Sequence, residues 1–308
     1  MQLIRSSLPS LKLPEVLEKL LPSILTDAIR RCGATHAEEL RLHADRTSTV
    51  CAGSRSFPLR IRLNREDLGS ILKDLCHGSL YAYNHTICQG YVTLESGIRV
   101  GVCGRAATEN GSVIGVSEVS GLIIRIPHAV PVSARPLLDR IFTAPSGPCG
   151  MLLYAPPGIG KTTLLRALAK EISSPPYSIR TVIVDTREEL SFTLDGADLN
   201  LDILQGYPRR LGIEIAFRSL GAQLILCDEI GDTTDASAIL SAAGCGVPLV
   251  ASVHASTVKE VLLRPLMQQL HRARIFPCYT GIRRDAGNEM HYTFTEWNEA
   301  EEFLPRLR

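Results

Sequence analysis

The sequence lacks several features that would assign it directly to a class of protein. Its 308 residues carry a formal net charge of only +1, so composition gives no global electrostatic case for binding nucleic acid. Its nine cysteines include no C-x-x-C pair, which argues against a zinc or dithiol site and predicts separate buried thiols in a reducing compartment. Partners must therefore be argued from individual sites.

Long hydrophobic runs are also missing. The longest weakly polar stretch, residues 236–253, is interrupted by serine, glycine and proline and falls short of a membrane span. The amino terminus has neither an unbroken apolar core nor the small-residue cleavage site that export signals carry. We therefore expect an intracellular chain with no membrane span of its own, which reaches any membrane through a partner.

The first part of the chain, residues 1–130, has the pattern of an α+β domain. With 45% hydrophobic residues the chain can bury a substantial core, and its length allows two domains. An apolar stripe at three- and four-residue steps predicts one helix over about residues 14–31. Short apolar runs then alternate with hairpin turns at residues 95–97 and 110–111, which predicts a mainly antiparallel sheet.

A proline-rich segment separates this part from a second pattern. Prolines near both ends of residues 127–150 indicate a linker, which we assign to residues 131–150. Residues 151–308 then alternate apolar strands with helices, which favours a mostly parallel sheet with helices on both faces. The overall class is therefore predicted to be α/β.

The stretch YAPPGIGKTT, residues 154–163, nearly spells a phosphate-binding loop, with alanine where the usual pattern has its first glycine. It follows an apolar strand and opens a helix, so its backbone N–H groups can cradle phosphate oxygens. Lys161 is expected to bind the β- and γ-phosphates of ATP, and the Thr162 hydroxyl to bind Mg²⁺. The C-terminal domain is thus predicted to be a P-loop, RecA-like ATPase domain. Its predicted nucleotide-binding residues are Ala155, Pro156, Pro157, Gly158, Ile159, Gly160, Lys161, Thr162 and Thr163.

A second apolar run, QLILCDEIG at residues 223–231, ends in two adjacent carboxylates, as expected of a Walker B strand beside the phosphate loop. Burying Asp228 and Glu229 side by side would be costly without a cation. Asp228 is therefore predicted to hold the hydrated Mg²⁺, and Glu229 to orient the attacking water or act as its base. The alternative is a solvated strand end with no catalytic role.

Polar residues also follow two other strands, at the sheet edge where doubly wound folds bind ligands. His254 follows PLVASV and is predicted to sense phosphate, although a lone histidine is more often structural. Arg187, after TVIVD, pairs either with the γ-phosphate or with its acidic neighbours, and Arg218 either senses phosphate or covers the sheet. The predicted catalytic residues are Glu229, Lys161, His254, Arg187 and Glu189, with Asp185 and Arg218 added to the nucleotide-binding set.

Taken together, these motifs resemble the type II/IV secretion ATPase superfamily, and within it the stage III sporulation AA family, over about residues 38–282. The resemblance is carried by EELRL (38–42), LYAYNHTICQGYVTLESGIRVGVCGRA (80–106), LIIRI (122–126), APPGIGKTTLLR (155–166), IVDTREEL (183–190), LILCDEIG (224–231) and SVHAST (252–257). The N-terminal stretches are the more specific, because a phosphate loop alone is generic. A small non-glycine residue at position 155 resembles the family pattern, which favours nucleotide binding.

The resemblance implies a mother-cell ATPase of endospore formers, cytoplasmic and peripheral to the engulfment membrane. It implies a homo-oligomeric ring, a hexamer, that powers a secretion-like channel through a membrane-protein partner and does not act on nucleic acid. In such ATPases an acidic box, a Walker B glutamate and a histidine box line the site, and these match Asp185 to Glu189, Glu229 and His254. Basic residues of the N-terminal domain face the nucleotide in the superfamily; the candidates in this chain are Arg99, Arg105 and Arg125.

Three positions depart from the family pattern. Thr186 stands in place of a glutamate in the acidic box, Asp232 in place of an arginine after DEIG, and Ile98 in place of a histidine. A slow enzyme would be consistent with these changes. Two alternatives therefore stay open: an ATP-gated scaffold that hydrolyses little, and a P-loop translocase that acts on nucleic acid.

Overall fold

The structure is a computed structural model that describes residues 11–127, 132–143, 147–191, 194, 199–285, 287 and 289–304. The chain divides into two units, Met1–His128 and Ala129–Arg308. The predicted domain boundary at residue 130 lies outside the described residues, so it stays a prediction. Within the predicted linker, the described helix Arg135–Ile141 packs in the core of the second unit.

The first unit is built on one antiparallel sheet of six strands in the order β3-β2-β1-β6-β5-β4. The strands are β1 (Glu39–His43), β2 (Thr49–Ala52), β3 (Arg55–Pro58), β4 (Tyr91–Thr93), β5 (Arg99–Glu109) and β6 (Ser112–Arg125). Asn110 and Gly111 both have positive φ, 49° and 79°, so the tight turn between β5 and β6 is of the kind predicted. The helices are α1 (Glu15–Leu20), α2 (Ser23–Arg30), α3 (Arg65–Leu75) and α4 (Asn84–Cys88).

The prediction of one continuous helix over residues 14–31 is wrong. The structure has two helices, α1 and α2, separated at Leu21 and Pro22. Leu21 is extended (φ −86°, ψ 144°), as expected for a residue that precedes a proline. The apolar stripe still reaches the core, because Leu17 and Leu25 are both fully buried.

The second unit contains a seven-stranded sheet in the order β13-β12-β7-β11-β10-β8-β9, parallel except for the β12–β13 pair. The strands are β7 (Met151–Ala155), β8 (Thr181–Asp185), β9 (Leu201–Gln205), β10 (Leu224–Cys227), β11 (Leu249–His254), β12 (Cys278–Arg284) and β13 (Met290–Glu296). The helices are α5 (Arg135–Ile141), α6 (Lys161–Ser173), α7 (Arg209–Arg218), α8 (Ala236–Gly244), α9 (Val258–Leu262), α10 (Pro265–Arg272) and α11 (Trp297–Ala300). This architecture confirms the predicted fold class.

The central strands of this sheet, β7, β8, β10 and β11, are buried on both faces and are mainly apolar, whereas the edge strands β9 and β13 are partly exposed. Alternate residues of β7 belong to different cores: Leu152 and Tyr154 to one, Leu153 and Ala155 to the other. Helices α5 and α6 cover the second of these faces, and α7 to α10 cover the first. The phosphate-loop helix therefore lies on the opposite face of the sheet from the helix that precedes β10.

The cysteines are less buried than the sequence predicts. All nine are free thiols, but only Cys76, Cys227 and Cys278 are buried, whereas Cys103 and Cys245 are exposed. No helix in the described part of the chain is long and apolar enough to cross a membrane.

Helix α7 approaches β8 so closely that it needs a glycine. A Cβ on Gly212 would lie 2.5 Å from Cγ1 of Val184, a side chain with little rotamer freedom. We expect Gly212→Ala to lower the free energy of unfolding by about 1–3 kcal/mol, as overpacking does, in urea denaturation. Gly244→Ala is the control, because a Cβ there meets no described atom within 4 Å. An equal loss in both variants would contradict the close approach as the cause.

The core of the second unit contains a buried histidine. Nδ1 of His271 lies 2.7 Å from the Tyr279 hydroxyl, and the ring stacks on Trp297 with a centroid distance of 5.1 Å. Burial lowers the pKa of His271, against a smaller opposing effect of Glu301. In the unfolded chain this histidine has a pKa of about 6.5, so as the pH falls the unfolded state binds its proton before the folded state does.

His271 should consequently make stability depend on pH. Its contribution is fully present above about pH 6.5 and is lost as the pH falls from there through the folded-state pKa. We expect the wild type to lose more unfolding free energy between neutral and mildly acidic pH than His271→Gln, which cannot take up this proton. Denaturant titrations of both proteins at the two pH values measure the difference. Parallel losses would show that His271 does not carry this dependence.

Candidate functional site

The phosphate loop joins the end of β7 at Ala155 to the start of α6 at Lys161. Gly158 and Gly160 have φ values of 80° and 107°, which favour glycine. A Cβ on Gly160 would lie 3.1 Å from Nη2 of Arg284, whereas one on Gly158 would meet no described atom within 4 Å. The loop is therefore packed on its Gly160 side and open at Gly158.

Lys161 is the buried cation of the site, with 5% of its surface exposed. Its Nζ donates to the carbonyl oxygens of Ala155 at 2.9 Å and Pro156 at 3.2 Å, and lies 2.8 Å from Nδ1 of His254. Burial lowers the pKa of Lys161, while the carboxylates of Asp228 and Glu229 oppose that shift. The loop thus holds a cation that is short of compensating charge.

Two predicted metal ligands come together on α6 and just beyond β10. The Thr162 hydroxyl donates to Oδ2 of Asp228 at 2.6 Å. The other carboxylate oxygen of Asp228 accepts from the backbone N–H of Glu229 at 2.9 Å and from the hydroxyl of Ser252. A hydroxyl and a carboxylate oxygen at this spacing are of the type that Mg²⁺ prefers.

The end of β10 lies beside the phosphate loop, where Asp228 accepts from Thr162, but β10 is not a direct neighbour of the phosphate-loop strand. Strand β11 lies between β7 and β10 and pairs in parallel with both. The end of β11 therefore places His254 between Lys161 and Glu229, whose Oε1 is 2.5 Å from Nε2 of His254. An ammonium can only donate, so Nδ1 of His254 accepts, and a neutral ring carries its proton on Nε2 toward Glu229.

Glu229 is the most constrained of the predicted catalytic residues. Its φ is 50°, a conformation that is uncommon outside glycine, asparagine and aspartate. Oε2 of Glu229 contacts Nη1 of Arg187, and Oε1 contacts His254. The structure therefore brings five predicted residues into one chain of contacts. In order they are Arg187, Glu229, His254, Lys161 and the Ala155 carbonyl group.

Asp185 and Glu189 have different surroundings from one another. Asp185 is 2% exposed, and its two carboxylate oxygens accept backbone N–H groups of Glu189, Leu190 and Ser191 at 2.8–2.9 Å. Its carboxylate is thus used to fix the loop after β8. Glu189 lies on that loop, half-buried and with its charge acting on Arg166 of α6.

The structure does not bring Arg218 to this cluster. Arg209, at the other end of α7, donates to the carbonyl oxygen of Asp228, so the site lies at the N-terminal end of that helix. At about 1.5 Å per residue, Arg218 is roughly 13 Å further along the axis. Arg218 is exposed, and its guanidinium lies 5.5 Å from the ring centroid of Phe217, so its predicted role toward a nucleotide stays a prediction.

The three candidate arginines of the first unit are engaged within that unit. The Arg99 guanidinium lies 4.3 Å from the ring centroid of Tyr91, Arg105 pairs with Glu118 at 3.8 Å, and Arg125 pairs with Glu39 at 3.3 Å. All three side chains are exposed. Their predicted role toward a nucleotide stays a prediction.

Four residues of the site were missed in the sequence. Ser252 donates to Asp228, Arg209 donates to the Asp228 carbonyl group, Arg264 donates to the His254 carbonyl group, and Nε of Arg284 donates to the Ile159 carbonyl oxygen at 2.8 Å. Only Ser252 had a sequence signal: it is a polar residue in an apolar strand, two positions before His254 and so on the same face. The three arginines come from distant elements that no local pattern links to the loop.

The three departures from the family pattern can also be located. Asp232 accepts the backbone N–H of Thr234 at 2.9 Å and so caps the short turn before α8, and this bond lowers its pKa. The buried hydroxyl of Thr186 has no hydrogen-bond partner among the described residues. Ile98 is fully buried in the core of the first unit.

Comparison with known proteins identifies the family. The model of the family described as "Sporulation stage III, protein AA" matches residues 31–290. The chain belongs to this family. A family relative, the Stage III sporulation protein AA of Bacillus subtilis (strain 168), is 32% identical over 258 residues, covering 81% of this chain and 83% of that protein.

Solved structures extend the comparison to the fold of this sporulation AA chain. The ATPase DotB of Legionella pneumophila superposes with a TM-score of 0.61 at 14% identity, covering 95% of this chain and 86% of that one. The pilus retraction motor PilT, solved with bound ADP, gives a TM-score of 0.63 at 17% identity, covering 94% and 87%. At these identities the likeness establishes a shared fold, the one predicted from the motifs.

Proposed function

We propose that this sporulation AA chain is a Mg²⁺-dependent ATPase. The observation that carries the proposal is the convergence of Lys161, Thr162, Asp228, Glu229 and His254 at the carboxyl ends of β7, β10 and β11. These strands arrive from separate parts of the sequence, and each contributes a group that phosphoryl transfer requires. A chance match to a phosphate loop would not bring the other two strand ends with it.

The residues present fit both the nucleotide and the cation. Gly158 leaves the loop open on one side, and the N–H groups of the first turn of α6 suit an anion. Lys161 already lies in the loop as a buried cation that an anionic ligand would stabilise. Thr162 and Asp228 would hold the cation through one oxygen each, which suits Mg²⁺ because it keeps several waters.

The chemistry at this site is derived from the chain's own groups. When bound, Mg²⁺-ATP would supply the phosphoryl group and the cation that neutralises its charge. Glu229 would orient a water and accept its proton on a carboxylate oxygen, and both of its oxygens are occupied in the structure. A carboxylate oxygen can accept more than one hydrogen bond, so Glu229 could bind this water while Arg187 and His254 hold the carboxylate in place. His254 also links Glu229 to Lys161, since one ring contacts both residues.

The family and the fold support a proposal for the cellular role. Membership of the sporulation AA family supports action in the mother cell during endospore formation, and the fold of DotB and PilT supports a motor. We propose that the chain forms a homo-oligomeric ring, a hexamer, on the cytoplasmic side of the engulfment membrane. There it would power a secretion-like channel through a membrane-protein partner. The exposed arginines Arg99, Arg105 and Arg125 would then be candidates for contact with the nucleotide.

The test is ATP turnover by the purified protein over a range of protein concentrations, with Mg²⁺ and with a chelator. Specific activity should rise with protein concentration as rings form, and should disappear with the chelator and in Lys161→Met. Turnover that is insensitive to Lys161→Met would contradict the proposal. Binding of ATP without turnover at any concentration would instead favour the ATP-gated scaffold. DNA-stimulated, salt-sensitive turnover would favour the translocase.

A further inference from the structure

The peptide unit that joins Asp228 to Glu229 is held from both sides. Its N–H donates to Oδ1 of Asp228 at 2.9 Å and to Oγ of Ser252 at 3.1 Å. Its carbonyl oxygen accepts from Nη2 of Arg209 at 3.0 Å. Rotation of this peptide changes φ of Glu229, which is 50° and therefore needs support from its surroundings.

The position of Arg209 in α7 is electrostatically unfavourable for the helix itself. Arg209 is the first residue of α7, where the helix dipole disfavours a cation, and the first turn contains no acidic residue. Its side chain is 13% exposed, and Nη1 donates to Oδ2 of Asp235, itself 4% exposed, at 2.8 Å. The planar guanidinium thus joins the Asp228 carbonyl group to a buried carboxylate with two nitrogens in fixed geometry.

The neighbouring residue shows that this arrangement is particular to position 209. Arg210 has the same charge, lies in the same helical turn, and points to solvent, where it pairs with Glu214 at 3.3 Å. The two arginines differ in what they contact: Arg209 reaches the end of β10, and Arg210 stays on the surface of α7.

We propose that Arg209 is a positioning residue that holds the Asp228–Glu229 peptide, and through it directs the Glu229 carboxylate toward the site of hydrolysis. The inference rests on the proposed ATPase function, in which Glu229 orients the attacking water. Lysine cannot replace Arg209, because a single ammonium lacks the fork that spans the carbonyl group and Asp235. The ATP-binding residues of the loop, Lys161 and Thr162, do not contact Arg209 in the described structure.

The experiment compares Arg209→Lys, Arg209→Ala and the control Arg210→Ala. We measure kcat, Kd for a fluorescent ATP analogue and the thermal midpoint of each. Both Arg209 variants should lower kcat at least tenfold with Kd within about twofold of wild type, and Arg210→Ala should change neither. Wild-type kcat in a folded Arg209→Lys protein would overturn the inference. So would equal losses of kcat, affinity and thermal midpoint, which a purely structural role predicts.

A double variant tests whether Arg209 acts through Glu229. If it does, adding Arg209→Lys to Glu229→Gln should lower the residual turnover no further, because the shared route is already lost. An additional loss of the same factor as in the single variant would overturn the inference. The proposed function fails separately, by an absence of turnover in the wild type itself. Arg209→Lys keeps the charge, so it supplies the result if Arg209→Ala does not fold.

Discussion

Glu229→Gln is expected to lower ATP turnover by about 10²–10⁴-fold, the usual contribution of a general base. Glutamine has the same shape, so it keeps the packing of the strand end and can still accept from Arg187 through its amide oxygen. It cannot accept the proton of the attacking water. Because Glu229 reaches the loop only through His254, the variant should lower turnover far more than it changes the affinity for ATP.

The measurement pairs steady-state turnover with a binding titration of the same preparation. Glu214→Gln is the matched control: it removes one carboxylate from α7, where Glu214 pairs with exposed Arg210 away from the site. It should leave turnover unchanged. Turnover in Glu229→Gln above about a tenth of the wild-type rate would mean that another group serves as base, and the assignment of Glu229 would be wrong.

One histidine connects the two oppositely charged groups of the site. His254 connects Lys161 to Glu229, and Arg187 occupies the second oxygen of Glu229. An anionic ligand that attracts Lys161 would therefore weaken its contact with His254 and, through the ring, alter the contact to Glu229. This coupling provides a physical reason why binding and the readiness of the base should change together.

The sequence predicts the parts of this site that are local in the chain. The loop from Ala155 to Thr163 and the carboxylates at 228 and 229 each lie within ten residues, so strand, glycine and helix signals identify them directly. Pro22 is also a local signal, for the break between α1 and α2, but the apolar stripe continues across it and so predicts a single helix. Hydrophobic periodicity does not predict the order of strands in a parallel sheet, because a crossover connection can place the next strand on either side of the previous one. The insertion of β11 between β7 and β10 was therefore not predicted.

The two arginines of α7, Arg209 and Arg218, also show what a local sequence pattern does not predict. Arg218 was a candidate because it precedes the predicted Walker B strand in the chain, yet the end of α7 that contacts Asp228 is the N-terminal one, where Arg209 lies. Deciding between them requires knowing which end of the helix meets the carboxyl ends of the strands. In a crossover from β9 to β10 the helix runs antiparallel to both strands, so its N-terminus lies at their carboxyl ends. That rule favours Arg209.

Lys161→Met is expected to weaken nucleotide binding without destabilising the ligand-free protein. A hydrogen bond to a charged group contributes about 1.5–3 kcal/mol, so losing the lysine should weaken affinity by about 10–100-fold or more. Wild-type protein with ATP at a hundred times its Kd should gain about 2.7 kcal/mol in unfolding free energy. The variant at the same ATP concentration should gain only about 1.4 kcal/mol if its affinity is tenfold weaker, and about 0.4 kcal/mol if it is 100-fold weaker.

The stability of the ligand-free variant follows from what Lys161 leaves behind. The carbonyl group of Ala155 still accepts from the backbone N–H of Ala255 at 3.3 Å, and His254 is exposed enough, at 40% of its side chain, for water to replace the ammonium. Methionine fills a similar volume and removes a buried charge, an exchange that is often neutral or stabilising. The unfolding free energy of the variant should therefore lie within about 1 kcal/mol of wild type, or above it.

Lys170→Met tests whether the effects expected of Lys161→Met are specific to the phosphate loop. Lys170 lies on the same helix, exposed in its last turn, so the same substitution there should leave ATP binding intact and should lower stability slightly by removing a cation from the C-terminal end. Thermal unfolding of the three proteins with and without ATP gives both quantities at once. If Lys161→Met unfolded well below wild type in the absence of ATP, the lysine would be a structural residue of the loop. Burial of the Lys161 charge would then not be an unfavourable feature that ATP binding relieves.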